Sequence, residues 1–217
     1  MGKLSWDGVG ERIYETGVDH GVLYVMDENG YGRGVPWNGL TAVTESPSGA
    51  ESNKQYADNV VYLNLVSAEE FGGTIEAFTC PPEFSACDGL AEPSDGLTVG
   101  QQTRSTFGLS YRTKVGNDLA GQDAGYKLHL VYGLLASPSE KAYQTVNDSP
   151  EAMTLSWEVT STPVKVNDAL KPTSIITVDS TKVDAADLAA LEKLLYGAPA
   201  GSGGIPAETF AKLPLPA

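Results

Sequence analysis

Cysteine and histidine are nearly missing from this chain, with two of each in 217 residues. Cys80 and Cys87 have six residues between them, with no histidine nearby and no second cysteine pair. A zinc site therefore has little support, and two free thiols are expected. His129 lies between Leu128 and Leu130 in a strand-like run, which predicts a structural histidine rather than a catalytic base. No serine-hydrolase elbow, phosphate-binding P-loop, paired-histidine zinc motif or EF-hand loop is present. Acids are numerous, but nothing selects two of them as a glycosidase pair. The sequence thus predicts neither an enzyme nor a bound metal or cofactor. No apolar run approaches a membrane span or the core of a signal peptide. Residence in a cytoplasm, or export within an assembly, is the expectation.

Positive charge is the other shortage. Fourteen Lys and Arg stand against 28 Asp and Glu, a formal net charge of −14. This argues against binding nucleic-acid phosphates or anionic lipid directly. The imbalance lies almost wholly in the first hundred residues, where 16 acids face 4 bases. Between Lys54 and Arg104 there is no base at all. That gap holds Asp58, Glu69, Glu70, Glu76, Glu83, Asp88, Glu92 and Asp95. Such a stretch is either a solvated acidic surface or a surface that repels a polyanion.

What is present is strand pattern, with the 24 glycines and 13 prolines that many turns require. Over residues 153–159, Met153, Leu155, Trp157 and Val159 alternate with polar residues, which predicts one buried face with Trp157 in the core. Residues 127–135 begin by alternating and become continuously apolar, as in a strand covered on both sides. Asn147 to Pro150 are turn formers. Residues 104–115 alternate again through Phe107, Leu109 and Tyr111. Further strands are expected at 21–26, 34–43, 58–67, 74–79 and 174–179. In residues 58–67, Val61, Leu63 and Leu65 would share one face, with the hairpin turn at 68–73. Residues 44–57 and 80–103 read as long loops, the kind that are functional or disordered. Residues 1–20 read as an arm that docks on a partner.

One amphipathic helix is predicted over residues 184–196. Asp184 is its N-cap, Leu188, Leu191, Leu194 and Leu195 form its stripe, and Gly197 ends it. Residues 198–217 are rich in Gly, Pro and Ala and read as a flexible tail. The expected organisation is a single domain over 1–197 followed by that tail.

Seven blocks carry a resemblance. They are MGKLSWDGVGERIYETGVDHGVLYV, GVPWNGLTAVTESPSGAESNKQYADNVVYLNL, SAEEFGGTIEAFTCPPEFSACDG, GQQTRSTFGLSYRT, GYKLHLVYGLLASPSEKAY, NDSPEAMTLSWEVTSTPV and ITVDSTKVDAADLAALEKLLYG. In this order, over residues 1–197, they resemble the major tail tube proteins of long, non-contractile tailed bacteriophages. The resemblance implies a mainly β subunit, a sandwich or barrel with one helix near the C-terminus. Six subunits would form a ring with a continuous inner β-barrel, and the rings would stack into a tube that conducts the genome. It also implies a tape-measure protein inside the tube, tip and terminator proteins at its ends, and DNA passing without specific binding. The chain would then be a virion component assembled in the host cytoplasm, with no membrane partner. In that setting Asp58, Glu69, Glu70 and Glu76 are the candidate lumen-facing acids, Asp58 and Glu76 foremost because both are expected on strands.

A monomeric β-sandwich that binds a glycan or another ligand is the reading from a different class. It needs exposed aromatics, and the sequence offers Trp37 and several tyrosines. Self-assembly separates the two readings.

Overall fold

Alternating apolar residues build two faces on each long strand, and here both faces of the central strands are covered. The computed structural model describes residues 4–146, 148–149, 151–166 and 170–197. Strand β1 (Ile13–Asp27) is followed by β2 (Gly30–Tyr31), β3 (Val35–Trp37) and β4 (Leu40–Glu45). Next come β5 (Ser48–Gly49), β6 (Ser52–Ala57), β7 (Val60–Val66), β8 (Glu69–Glu70) and β9 (Gly72–Ala77). A 3-10 turn over Pro82–Ala86 precedes the short pair β10 (Ala91–Ser94) and β11 (Leu97–Val99). The long strands β12 (Phe107–Asn117) and β13 (Gly121–Ala136) are followed by β14 (Leu155–Ser161), β15 (Ile175–Asp179) and helix α1 (Ala185–Tyr196).

The main sheet is antiparallel and runs β2–β1–β12–β13–β14–β9–β4, with β3 added on β1 and β15 on β13. It curls over itself without closing, so the chain is a mainly β fold with an open sheet and not a barrel. Where β4, β9 and β14 fold back over β1, β12 and β13, Leu23, Phe107, Leu109, Val131, Ile75, Val159 and Trp157 meet in one buried cluster. Aromatic rings fill its centre. Trp37 lies 4.6 Å from Phe84 and 5.6 Å from Trp157, and Phe84 lies 5.3 Å from Phe107. Edge-on and tilted packing of this kind adds to the burial of area itself.

The opposite face of β1, β12 and β13 carries the helix. Gly108 and Ser110 are buried there, so the less apolar face of β12 meets the helix layer instead of water. Their small size leaves room for Tyr24, which lies 3.5 Å from Ser110 Oγ and donates to the Leu195 carbonyl at 2.8 Å. Val22, Leu128, Leu130, Tyr132, Val178, Leu191 and Leu195 complete this second cluster. Asp184 accepts from the Ala186 N–H at 2.8 Å, and Gly197, with φ of 85°, ends the helix. Both caps stand where the sequence placed them.

Gly133 explains the continuous apolar run in β13. Its φ is 61°, and a side chain there would sit 2.3 Å from the Thr162 carbonyl oxygen. The pairing register with β12 slips at this point, a bulge. Val131 and Leu134, three residues apart, therefore both enter the aromatic cluster. The strand is covered on both sides, as its sequence predicts.

Four expectations fail. Residues 44–57 are not a loop, because β5 and β6 lie within them. The reversal is not at 68–73 but at Asp58 and Asn59, whose φ values are 50° and 65°. Two consecutive residues of positive φ make the tight turn that matches strand twist. Val61, Leu63 and Leu65 do share a face, but it is exposed, as is the whole of β6 up to Tyr56 and all of β7. Residues 1–20 are not wholly an arm, since β1 begins at Ile13 and pairs with β12. The stretch 80–103 holds the 3-10 turn and the β10–β11 pair, and Phe84 from that turn is fully buried. The turn expected at Asn147 to Pro150 rests partly on residues outside those described, and the tail 198–217 lies wholly outside them.

Candidate functional site: an exposed β arm and a base-free sheet face

A single hairpin runs from β4 and β9 in the core out through β5 and β8 to β6 and β7. Its cross-strand pairs keep one register over most of that length. Val43 pairs with Ile75, Glu45 with Gly73, Ser48 with Glu70, Ser52 with Val66 and Gln55 with Leu63. Between the named ladders the backbone stays joined by Ser46 N–H to Gly72 O (2.7 Å) and Ala50 N–H to Ala68 O (3.2 Å). Left-handed Gly49 (φ 82°) and Ala50 (φ 51°) bend the outgoing strand where it leaves the core.

In the outer part of this hairpin, β7 is apolar on both faces. Successive strand residues point to opposite sides. Val61, Leu63 and Leu65 lie on one side of β7, and Val60, Tyr62 and Val66 on the other. All six are exposed, from 41% at Leu63 to 71% at Tyr62. Contiguous exposed apolar surface marks an interaction site. A bare two-stranded ribbon also leaves unpaired backbone groups along its edges. Residues 52–66 carry one base, Lys54, and one acid, Asp58, so the arm is neutral on a strongly acidic chain.

At the root of the arm, Glu45 closes a polar cluster. Its carboxylate accepts the Tyr111 O–H at 2.5 Å and lies 3.5 Å from His129 Nδ1. The Tyr111 and His129 rings stack at 4.7 Å with planes 2° apart. His129 Nε2 is 3.0 Å from Thr113 Oγ1, and Thr177 Oγ1 is 3.5 Å from Nδ1. Thr113 in turn lies 3.5 Å from Glu15, which pairs with Lys127. The His129 hydrogen bond holds the Glu45 carboxyl below its ordinary value, the Tyr111 bond adds to this, and burial opposes it. Burial, followed by the bond to Glu45, pushes the Tyr111 phenol up. His129 is thus held by its neighbours on the strand where the sequence places it.

The four candidate acids are spread along the hairpin. Asp58 is in the tip turn rather than on a strand. Glu69 and Glu70 are neighbours on β8, exposed and on opposite sides of the ribbon. Glu76 is on β9, on the face away from Ile75 and Ala77. That face continues across the sheet: Glu76 pairs with Ala42 and Ser156, and Thr74 with Thr44 and Glu158. With Thr160 it forms a surface of small polar residues and two acids, and β4, β9 and β14 hold no Lys or Arg. Glu158 was missed in the sequence because it lies outside the base-free stretch. Only the pairing of β14 with β9 brings it beside Glu76.

Asp88 is buried and held by Lys141 Nζ at 2.6 Å and Arg104 Nη1 at 3.4 Å. It is the centre of a buried ion-pair cluster. Beside it, burial pushes the Cys87 thiol up to about 12 and also raises Cys80. Neither favours the thiolate that metal binding or nucleophilic attack requires. Trp37 is buried, so it offers no platform to a glycan.

No protein-family description and no curated protein matches the chain. Among solved structures, it is similar to a chain from a cryo-EM structure of the sheath–tube complex of an extracellular contractile injection system (PVC) in the extended state. The TM-score is 0.33 and the identity 13%, covering 74% of this chain and 88% of that one.

Proposed function

We propose that this chain is a structural subunit that polymerises with its own copies, six to a ring and ring upon ring, into the tail tube of a long-tailed phage. The observation that carries the reading is the exposed β6–β7 arm, whose strand β7 is apolar on both faces. In a lone subunit this surface gains nothing from being apolar; against a second copy it buries at about 25 cal/mol per Å². A second copy is the fitting occupant on charge as well. Two chains of net charge −14 repel, and the neutral arm is where approach is opposed least. The resemblance of residues 1–197 to tail tube proteins supplies the ring, the stack and the further partners. These are a tape-measure protein within the tube and tip and terminator proteins at its ends. The role is structural rather than enzymatic, in a virion component assembled in the host cytoplasm.

In this reading the face of β4, β9 and β14 carrying Thr44, Thr74, Glu76, Ser156, Glu158 and Thr160 lines the lumen. A surface without bases gives phosphates no cation to pair with, so DNA slides past instead of binding. Replacing Glu76 and Glu158 with lysine together is expected to leave tubes intact and slow genome release in a salt-dependent way. Ejection at the wild-type rate from such particles would remove this face from the lumen.

Negative-stain electron microscopy over a concentration series, with light scattering for mass, tests the reading as a whole. Hollow rings or tubes are the expected result. A protein that stays monomeric at every concentration, and also in the presence of tail-tip proteins, would overturn it.

A further inference from the structure

We infer that the arm is already ordered and aimed in the free subunit, and that the Glu45 carboxylate is the group that aims it. This deepens the tube reading and rests on it for the identity of the docking partner. A two-stranded ribbon alone is marginal in water, so an arm of this kind would ordinarily fold only on its neighbour. Three observations set this one apart. Its cross-strand pairs follow on from those of β4 and β9 in the same register, joined across the gaps by Ser46 N–H to Gly72 O and Ala50 N–H to Ala68 O, so it zips outward from a formed core instead of nucleating by itself. The bend at Gly49 and Ala50 is held from the opposite strand, with Ser67 N–H donating to Glu51 O at 3.1 Å and Glu51 N–H to Ser67 Oγ at 3.0 Å. Finally, the last residue of β4 before the arm is tied sideways. Glu45 reaches across to Tyr111 on β12 and His129 on β13, and His129 is itself held by Thr113 and Thr177. The root of the arm is therefore fixed to strands on the far side of the core and cannot pivot about β9 alone.

Glu45 is a positioning residue, and its effect belongs in the arm and not in the core. Backbone amide exchange on the dilute, unassembled subunit reads both. In the wild type, the amides of Ser46, Ala50 and Ser67 are expected to exchange well below the unfolded rate. Glu45→Ala should speed them about tenfold, the size of one lost charge-assisted hydrogen bond. Amides of Leu109 and Leu130 in the central strands should keep their rates. Glu45→Gln retains an acceptor for Tyr111 and should restore much of the protection, and Tyr111→Phe should fall between the two. The idea fails if the wild-type arm amides are unprotected. It fails equally if Glu45→Ala and Tyr111→Phe change arm and core exchange alike, or not at all. Because the measurement needs no tube, an ordered arm on a protein that never assembles would sink the tube reading and leave this one standing.

Discussion

Glutamate at Leu63 or at Tyr62 is expected to abolish self-assembly while leaving the isolated subunit as stable as before. Both side chains face solvent in the single chain. Substitution of such residues typically changes stability by no more than about 0.5 kcal/mol. In a docked arm the same carboxylate is buried without a partner, which costs several kcal/mol. Each 1.4 kcal/mol is a factor of ten in an equilibrium, so the concentration needed for assembly should rise by about a hundredfold or more. The two positions report on different sides of the ribbon. If both variants stay monomeric with unchanged thermal unfolding, the arm is covered on both faces, and it sits between two neighbours rather than on the surface of one. If only one does, the arm lies flat on a single partner. Normal assembly of both would mean that the arm is not the contact.

Trp157→Ala should be the most damaging single truncation in the core. Trp157 is fully buried where β14 packs over the 3-10 turn, 5.1 Å from Phe84 and 5.6 Å from Trp37. Truncating a buried Trp to Ala costs about 3–5 kcal/mol, against a total stability for ordinary domains of about 5–15 kcal/mol. Denaturant unfolding should show a large drop in midpoint, and much of the protein is expected to be insoluble on expression. A finer contrast separates hydrogen bonding from volume. Among the described residues, the Trp157 Nε1–H has no hydrogen-bond partner, whereas Trp37 donates to the Thr79 carbonyl at 2.9 Å. Replacing each with Phe should therefore cost more at Trp37, by about 1 kcal/mol, the net worth of one such bond. A larger loss at Trp157 would contradict this.

The sequence made the interior legible and the arm illegible, for a physical reason. Burial on one or both faces leaves a periodic trace, and that trace located β12, β13, β14 and α1 with Trp157 in place. Strand β6 (SNKQYA) has no such trace, since an exposed ribbon owes its pairing to its partner strand and not to a core. Polar residues in a row then look like a loop. The available signal was the Asp58–Asn59 pair between Ala57 and Val60, two residues that tolerate positive φ where a tight hairpin demands it. The glycines at 72 and 73 are a competing turn signal in the same stretch. Those glycines serve a different purpose: a side chain at Gly73 would sit 2.5 Å from the Thr44 carbonyl oxygen, so small residues there let two backbones meet. The polar sheet face was half legible. Glu76 could be picked out by its neighbours in the chain, but Glu158 is 82 positions away and joins it only through strand pairing.

The single register of the long hairpin makes the arm a spacer of adjustable length. Each cross-strand pair adds about 3.4 Å. Removing one pair would turn every outer side chain to the opposite side, whereas removing two, four residues in all, would keep each on its own side and shorten the reach by about 7 Å. The core strands β4 and β9 would not register the change. Reach can therefore vary in fixed steps, independently of the fold that carries it.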